Sequence, residues 1–341
     1  MSATALRPLI QKLADGKSLD EDEMRRALEV MTAGEASPAL MGAFLMALRV
    51  RGETAAEITG AARMMRATMT RVAAPEDAVD IVGTGGDGHA TYNVSTCAAF
   101  VAAGAGLRIA KHGNRSVSSL AGASDVLAAL GVKLDVAPAA IARAIREAGV
   151  GFMWAPMHHP AMKAWAAVRA ELGVRTMFNL LGPITNPAGV KRQVVGVFHR
   201  RWVEPIAEAL NNLGSVHAWV VHGRDGMDEL TTTGPTAVAE LKDGDITVFE
   251  VTPEDAGLPR ASLSDLKGGD AIVNAEALRA VLAGRAGAYR DIVLFNAAAA
   301  LIVGGKSQSL ADGVLRAARA IDTGAAARAL EKLVAITNEA R

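Results

Sequence analysis

Between residues 20 and 70 the apolar positions recur with helical spacing. Met24, Leu28 and Met31 mark one face of a helix that Ser18-Leu19-Asp20-Glu21 would open as a capping box and Gly34 would stop. Ser37-Pro38 supplies an N-cap and a proline at the first helical position, and Gly52 ends that helix after Val50-Arg51. Thr54-Ala55-Ala56-Glu57 is a second capping box, opening a helix to about Thr70. Residues 1–72 therefore predict an all-helical N-terminal domain. Its Ala and Met content suits close packing or dimerisation, and it carries no pocket chemistry of its own.

Near Val72 the pattern changes. Pro75 breaks the chain and residues 78–82 form a buried apolar strand. Strand-like stretches follow near 107–110, 150–154, 193–198 and 216–221, alternating with helical ones near 95–105, 122–130, 138–148, 159–172 and 202–213. Such alternation predicts a larger α/β domain over 73–341, with a mostly parallel central sheet flanked by helices. Residues 236–251 predict a hairpin turned at Asp243-Gly244, and 275–341 is Ala-rich and helical. Part of 160–188 is expected to pack back on the helical domain.

Composition narrows the function classes. The 341 residues suggest about two domains. Lys+Arg and Asp+Glu are 36 each, so the formal net charge is 0, which removes the basic footprint of a nucleic-acid binder and any pull towards an anionic membrane. The apolar runs at 98–107 and 292–303 are too short to span a bilayer. A single cysteine, Cys97, cannot form an internal disulfide, and the N-terminal stretch lacks a signal-peptide core. A cytoplasmic location is expected.

The candidate chemistry follows the strands, where open α/β sheets bind ligands. Gly83-Thr84-Gly85-Gly86-Asp87-Gly88 lets backbone N–H groups approach phosphate, or it is a plain Gly-rich turn. It also matches the dinucleotide pattern G-x-G-x-x-G, but the next strand ends in Ala110-Lys111-His112-Gly113 without the ribose-binding carboxylate. Thr91-Tyr92-Asn93-Val94-Ser95-Thr96 adds hydroxyls at a predicted helix start, where the dipole favours anions. Lys111 to Ser119 (KHGNRSVSS) collects two cations, an Asn and three hydroxyls, a dense polyanion cradle. Asp228-Glu229 suits Mg²⁺, or is a solvated acidic turn. His158 and His159 taken alone are capping or packing residues, and residues 179–187 form a turn-rich structural segment. Gly305-Lys306-Ser307 resembles the end of a P-loop, but Ala300 replaces the required glycine and the preceding segment is helical.

Taken in order, these motifs resemble the anthranilate phosphoribosyltransferase family. GTGGD at 83–87, TYNVST at 91–96, KHGNRSVSS at 111–119, HPAMK at 159–163, Val168-Arg169, RTMFN at 175–179, LGP at 181–183, NPA at 186–188, VHG at 221–223 and Asp228-Glu229 carry the likeness across essentially the whole chain. The resemblance implies transfer of phosphoribose from phosphoribosyl pyrophosphate (PRPP) to the amine of anthranilate, in tryptophan biosynthesis. It also implies a homodimer through the helical domain and two Mg²⁺ ions per subunit. Gly83, Gly86, Asp87, Thr91, Asn93, Val94, Ser95, Thr96, Lys111, His112, Gly113, Asn114, Arg115, Ser116, Val117, Ser118 and Ser119 would hold the donor. Gly83, Asn114 and Arg169 would contact anthranilate, and Ser95, Asp228 and Glu229 would serve the metal. Ala123 stands where the family more often has Ser, so no donor contact is carried to it. The rivals are a pyrimidine nucleoside phosphorylase-like enzyme, a non-catalytic nucleic-acid-binding relative of the same fold, and an NADP oxidoreductase resting on G-x-G-x-x-G alone.

Overall fold

The computed structural model describes residues 6–115 and 120–339. Four helices open the chain: α1 (Leu6–Ala14), α2 (Glu21–Thr32), α3 (Pro38–Arg51) and α4 (Ala55–Thr68). The cap of α2 is Asp20, in a reciprocal box with Glu23, two residues beyond the expected Ser18. Leu19 explains the shift: it is 2% exposed, and its N–H is taken by the fully buried Glu57, leaving Asp20 as the first free cap. Glu57 also accepts from the Thr54 N–H and pairs with Arg51, so one carboxylate ties α2, α3 and α4 together. The caps at Ser37 and Thr54 form as the pattern predicts.

Seven strands build one sheet: β1 (Val79–Gly83), β2 (Ile109–Gly113), β3 (Val150–Trp154), β4 (Arg192–Gly196), β5 (His217–Gly223), β6 (Thr236–Lys242) and β7 (Asp245–Val251). Their order is β3-β2-β1-β4-β5-β6-β7. The first five run parallel, and β6 and β7 are antiparallel additions. Asp243 and Gly244 turn the hairpin with φ of +51° and +98°, the doubly positive pair that a two-residue type I′ turn requires.

The connecting helices are α5 (Val94–Gly104), α6 (Ala123–Ala129), α7 (Pro138–Glu147), α8 (Ala155–His158), α9 (Ala166–Leu172), α10 (Phe178–Ile184) and α11 (Val203–Asn212). After the hairpin come α12 (Ala271–Leu282), α13 (Ala288–Val303), α14 (Leu310–Asp322) and α15 (Ala325–Glu339). One face of the sheet is covered by α5 and α13 to α15. The other is covered by α11 and α10, whose apolar side chains join those of the N-terminal helices in a continuous core. Trp165 belongs to that core, fully buried against Phe178, and its indole N–H donates to Thr32 Oγ1.

Two expectations need correction. The helix expected over 159–172 is a 3₁₀ segment, Pro160–Trp165, followed by the shorter α9, and the tighter turn carries Trp165 into the core where its indole N–H reaches Thr32. The turn expected over 179–187 is largely α10, with Pro183 inside it. Its carbonyls are taken by distant side chains: Gly182 O by His112, Pro183 O by Gln193 and Ile184 O by Arg66.

From β1 the chain winds outward to β2 and β3, then returns to β4 on the other side of β1. The strand order thus reverses between β1 and β4, the topological switch point at which α/β sheets open a crevice.

Candidate active site

At the crevice, two glycines face each other. Gly83 ends β1 in register with Gly196, which ends β4. A Cβ at Gly83 would collide with the Asp228 carboxylate, and one at Gly196 with the Asp228 backbone carbonyl. Both positions are therefore bare so that Asp228 can sit directly over the switch point.

Asp228 is 8% exposed, and its Oδ2 accepts from the Gly85 N–H at 2.6 Å. Burial, then the nearby Asp87, pushes its carboxyl up to about 7. Glu229 Oε1 accepts from the Ser95 N–H at 3.1 Å, at the first turn of α5. Burial and Asp228 push it up to about 8, with Lys111 opposing. Lys111 is 3% exposed, and its ammonium donates to Ile81 O and lies 3.4 Å from Ser95 Oγ. Burial lowers its pKa, and Asp80, Glu229 and Asp228 favour its charged form.

Two buried carboxylates, Asp80 and Asp228, and the half-buried Glu229 thus act on one ammonium. The surplus negative charge, with oxygen donors from Asp228, Glu229, Ser95 and the adjacent Asp87, fits Mg²⁺. Among the described residues no three acidic, His or Cys groups are placed to hold an ion by themselves. Mg²⁺ takes one or two carboxylates and completes its shell with water and substrate phosphate oxygens.

The other predicted donor residues fall around this centre with different tasks. Gly86 has φ of +80° and carries the Arg175 guanidinium against its backbone, Arg175 donating to Gly86 O. Asp87 accepts from the His89 N–H. Thr91 forms an antiparallel bridge with Lys267. Val94 and Thr96 are buried in the first turn of α5, and Thr96 Oγ1 has no hydrogen-bond partner among the described residues. Gly113 ends β2 where a Cβ would press on the Phe152 ring. Asn114 and Arg115 are exposed, with Arg115 over the Trp154 ring and 3.7 Å from Asp125. Ser116, Val117, Ser118 and Ser119 lie outside the described residues.

His112 belongs to a different network. Its Nδ1 is 3.0 Å from Gly182 O, so Nδ1 must carry the proton and Nε2 must accept. Nε2 lies 3.2 Å from His159 Nε2, which must then donate, leaving the buried His159 Nδ1 a bare acceptor without a partner. Burial holds both rings neutral, His112 down to about 3 and His159 to about 4. His158 is a packing residue as expected: its Nδ1 and backbone O both bond Thr70, in the link between α4 and β1.

Sequence reasoning passed over the buried pair beside the cradle. Asp80 accepts from the His112 N–H at 3.2 Å and from Asn186 Nδ2 at 2.7 Å, locking β1, β2 and the residues after α10 together. Arg169, near the end of α9, stacks its guanidinium 5.3 Å from the Phe178 ring centroid. Burial alone lowers its pKa, and among the described residues no carboxylate pairs with it.

Comparison with known proteins follows the same lines. Residues 75–327 match the glycosyl transferase family a/b domain, and residues 7–69 the helical bundle domain of that family. An anthranilate phosphoribosyltransferase of Rhodopseudomonas palustris (strain BisB18) is 62% identical over 334 residues, 98% of each chain. The crystal structure of the Thermus thermophilus enzyme superposes with a TM-score of 0.91 at 45% identity, covering 96% of this chain and 99% of its own. That of Saccharomyces cerevisiae, solved in complex with PRPP and Mg, also gives 0.91, at 29% identity and 99% coverage of both. With its helical bundle, its α/β domain and a switch point cleared for Asp228, this chain belongs to the anthranilate phosphoribosyltransferase family.

Proposed function

We propose that the chain transfers the 5-phosphoribosyl group of PRPP to the amine of anthranilate, giving N-(5-phosphoribosyl)anthranilate and pyrophosphate. The observation that carries this reading is the Asp228-Glu229 pair, with Asp228 buried over Gly83 and Gly196 and Glu229 bonded to the start of α5. The relatives' names and the yeast enzyme's PRPP and Mg complex support it.

Displacement at the anomeric carbon builds oxocarbenium character on the sugar and negative charge on the departing pyrophosphate. Asp228 and Glu229 would hold Mg²⁺ there, and the metal would supply positive charge against the leaving group. Lys111, the 83–88 backbone amides and the N-terminus of α5 add fixed positive potential. Ser95 and the exposed Asn114 and Arg115 stand at the rim of the same crevice. Anthranilate's aromatic amine is unprotonated at neutral pH, so the acceptor needs aiming rather than a strong base. Arg169 clamps its carboxylate and Asn114 orients its amine. Two Mg²⁺ ions per subunit, a cytoplasmic location and a homodimer through the helical domain complete the proposal. Val50, 82% exposed on α3, supplies apolar surface there. Among the described residues no helix is long and apolar enough to cross a membrane.

Lys111→Met tests the donor cradle. It keeps the buried stem and removes the charge, and PRPP affinity is expected to fall at least tenfold while anthranilate affinity changes little. Calorimetric titration that returned an unchanged PRPP affinity in the folded variant would remove Lys111 from the cradle.

A further inference from the structure

The loop before α5 is fastened by a part of the chain far from the sheet. Asn93 Nδ2 donates to Ala121 O at 3.2 Å, and that carbonyl can only accept. Asn93 must therefore turn Oδ1 to Asn274, whose Nδ2 donates to it at 2.9 Å. Asn274 must in turn present Oδ1 to the Gly269 N–H, which donates at 2.8 Å. A backbone carbonyl at one end and a backbone N–H at the other thus fix the orientation of both amides. Flipping either would set oxygen against oxygen or N–H against N–H.

Next to this relay, the Gly268 N–H donates to the carbonyl of Ala90, which holds a left-handed φ of +53°. Gly268 has no room for a side chain, since a Cβ would lie 2.7 Å from Asn274 Oδ1 and 2.8 Å from Thr91 O. Asn274 is 1% exposed, and its side-chain hydrogen bonds run to Gly269 and Asn93.

We infer that Asn274 is a positioning residue for the phosphoribosyl donor, acting through Asn93 to hold the 90–96 segment and the end of the 111–121 loop in one register. The inference rests on the proposed role of those two segments as the donor cradle. The start of α5, with Ser95, then owes its placement to a fixed sequence of donors and acceptors rather than to packing alone.

Asn274→Asp tests it with almost no change in shape. The ionised carboxylate would set oxygen against Asn93 Oδ1 and break the relay. Once protonated, its O–H donates to Asn93 while its other oxygen still accepts from Gly269, so the relay re-forms. The expected result at pH 8 is a PRPP KM raised tenfold or more, with anthranilate KM within about twofold of wild type. As pH falls to 6 the variant-to-wild-type ratio of kcat/KM for PRPP should climb back towards one. Asn274→Leu, which cannot donate at any pH, should show the loss without the recovery. A variant whose melting temperature drops while both KM values stay put, or whose deficit is the same at every pH, would overturn the inference. Absence of PRPP-dependent anthranilate consumption by the wild-type protein would instead sink the proposed function, so the two failures are distinguishable.

Discussion

Replacing Asp228 and Glu229 together by Asn and Gln is expected to cut turnover by on the order of 10²–10³-fold and yet raise the melting temperature of the metal-free protein at pH 8. Each amide keeps the hydrogen bond its predecessor accepts, Asp228 from the Gly85 N–H and Glu229 from the Ser95 N–H, so the loops stay anchored. What disappears is the repulsion between the buried Asp228 and half-buried Glu229 carboxylates beside Asp87. Their folded pKa values stand near 7 and 8, well above those of the unfolded chain. The folded state therefore holds more protons between about pH 4 and pH 8, and its stability falls as pH rises through that window. The neutral pair lacks this slope, so its advantage in melting temperature should grow from pH 6 to pH 8 in chelator. Mg²⁺ with PRPP should stabilise the wild-type protein strongly and the variant little. Thermal scans in chelator showing the variant less stable at pH 8, or wild-type turnover in the variant, would remove the pair from the metal site.

Arg169→Ala is expected to raise the anthranilate KM ten- to a hundredfold and leave PRPP affinity nearly intact. Anthranilate is a flat anion, and the cations Lys111 and Arg115 stand within the donor cradle. Arg169 comes from α9 instead, with its guanidinium laid over Phe178. Among the described residues no carboxylate pairs with it, and its one recorded side-chain contact is the Phe178 ring. A half-buried guanidinium without a carboxylate partner is free to pair with an anionic substrate, which is the role proposed for Arg169. A fork fixes the carboxylate's plane, which a Lys point charge does not, so Arg169→Lys should recover only part of the loss. Losing such a charge-assisted contact costs about 1.5–3 kcal/mol. Steady-state kinetics with both substrates varied would count against the clamp if both KM values held while the melting temperature fell.

The positions of Gly83, Lys111 and Gly113 in the closing residues of strands were legible because strand position is a local signal. The strand at 150–154 and the Asp243-Gly244 turn fall where alternation and turn chemistry place them. The helix over Phe178–Ile184 was not legible, since Gly182 and Pro183 argue locally for a turn. It persists because His112, Gln193 and Arg66 satisfy its carbonyls from elsewhere in the chain. The Ser18 box was displaced for a similar reason, the claim of Glu57 on the Leu19 N–H. In the site itself, what escaped the sequence was pairing: His112 with His159 across 47 residues, Asp80 with Asn186 across 106, Asn93 with Asn274 across 181. Residue type announces a capacity to bond. Only the fold decides whether the partner is a ligand or another side chain, and that is why His112 turns to His159 and Gly182.

The most direct test is to incubate the purified protein with PRPP, Mg²⁺ and anthranilate, and to follow anthranilate fluorescence and pyrophosphate release together. Loss of one anthranilate for each pyrophosphate, dependent on all three components, is the result expected of a phosphoribosyl transfer centred on Asp228 and Glu229. Unchanged anthranilate in the presence of folded protein, or pyrophosphate released at the same rate without it, would contradict that function.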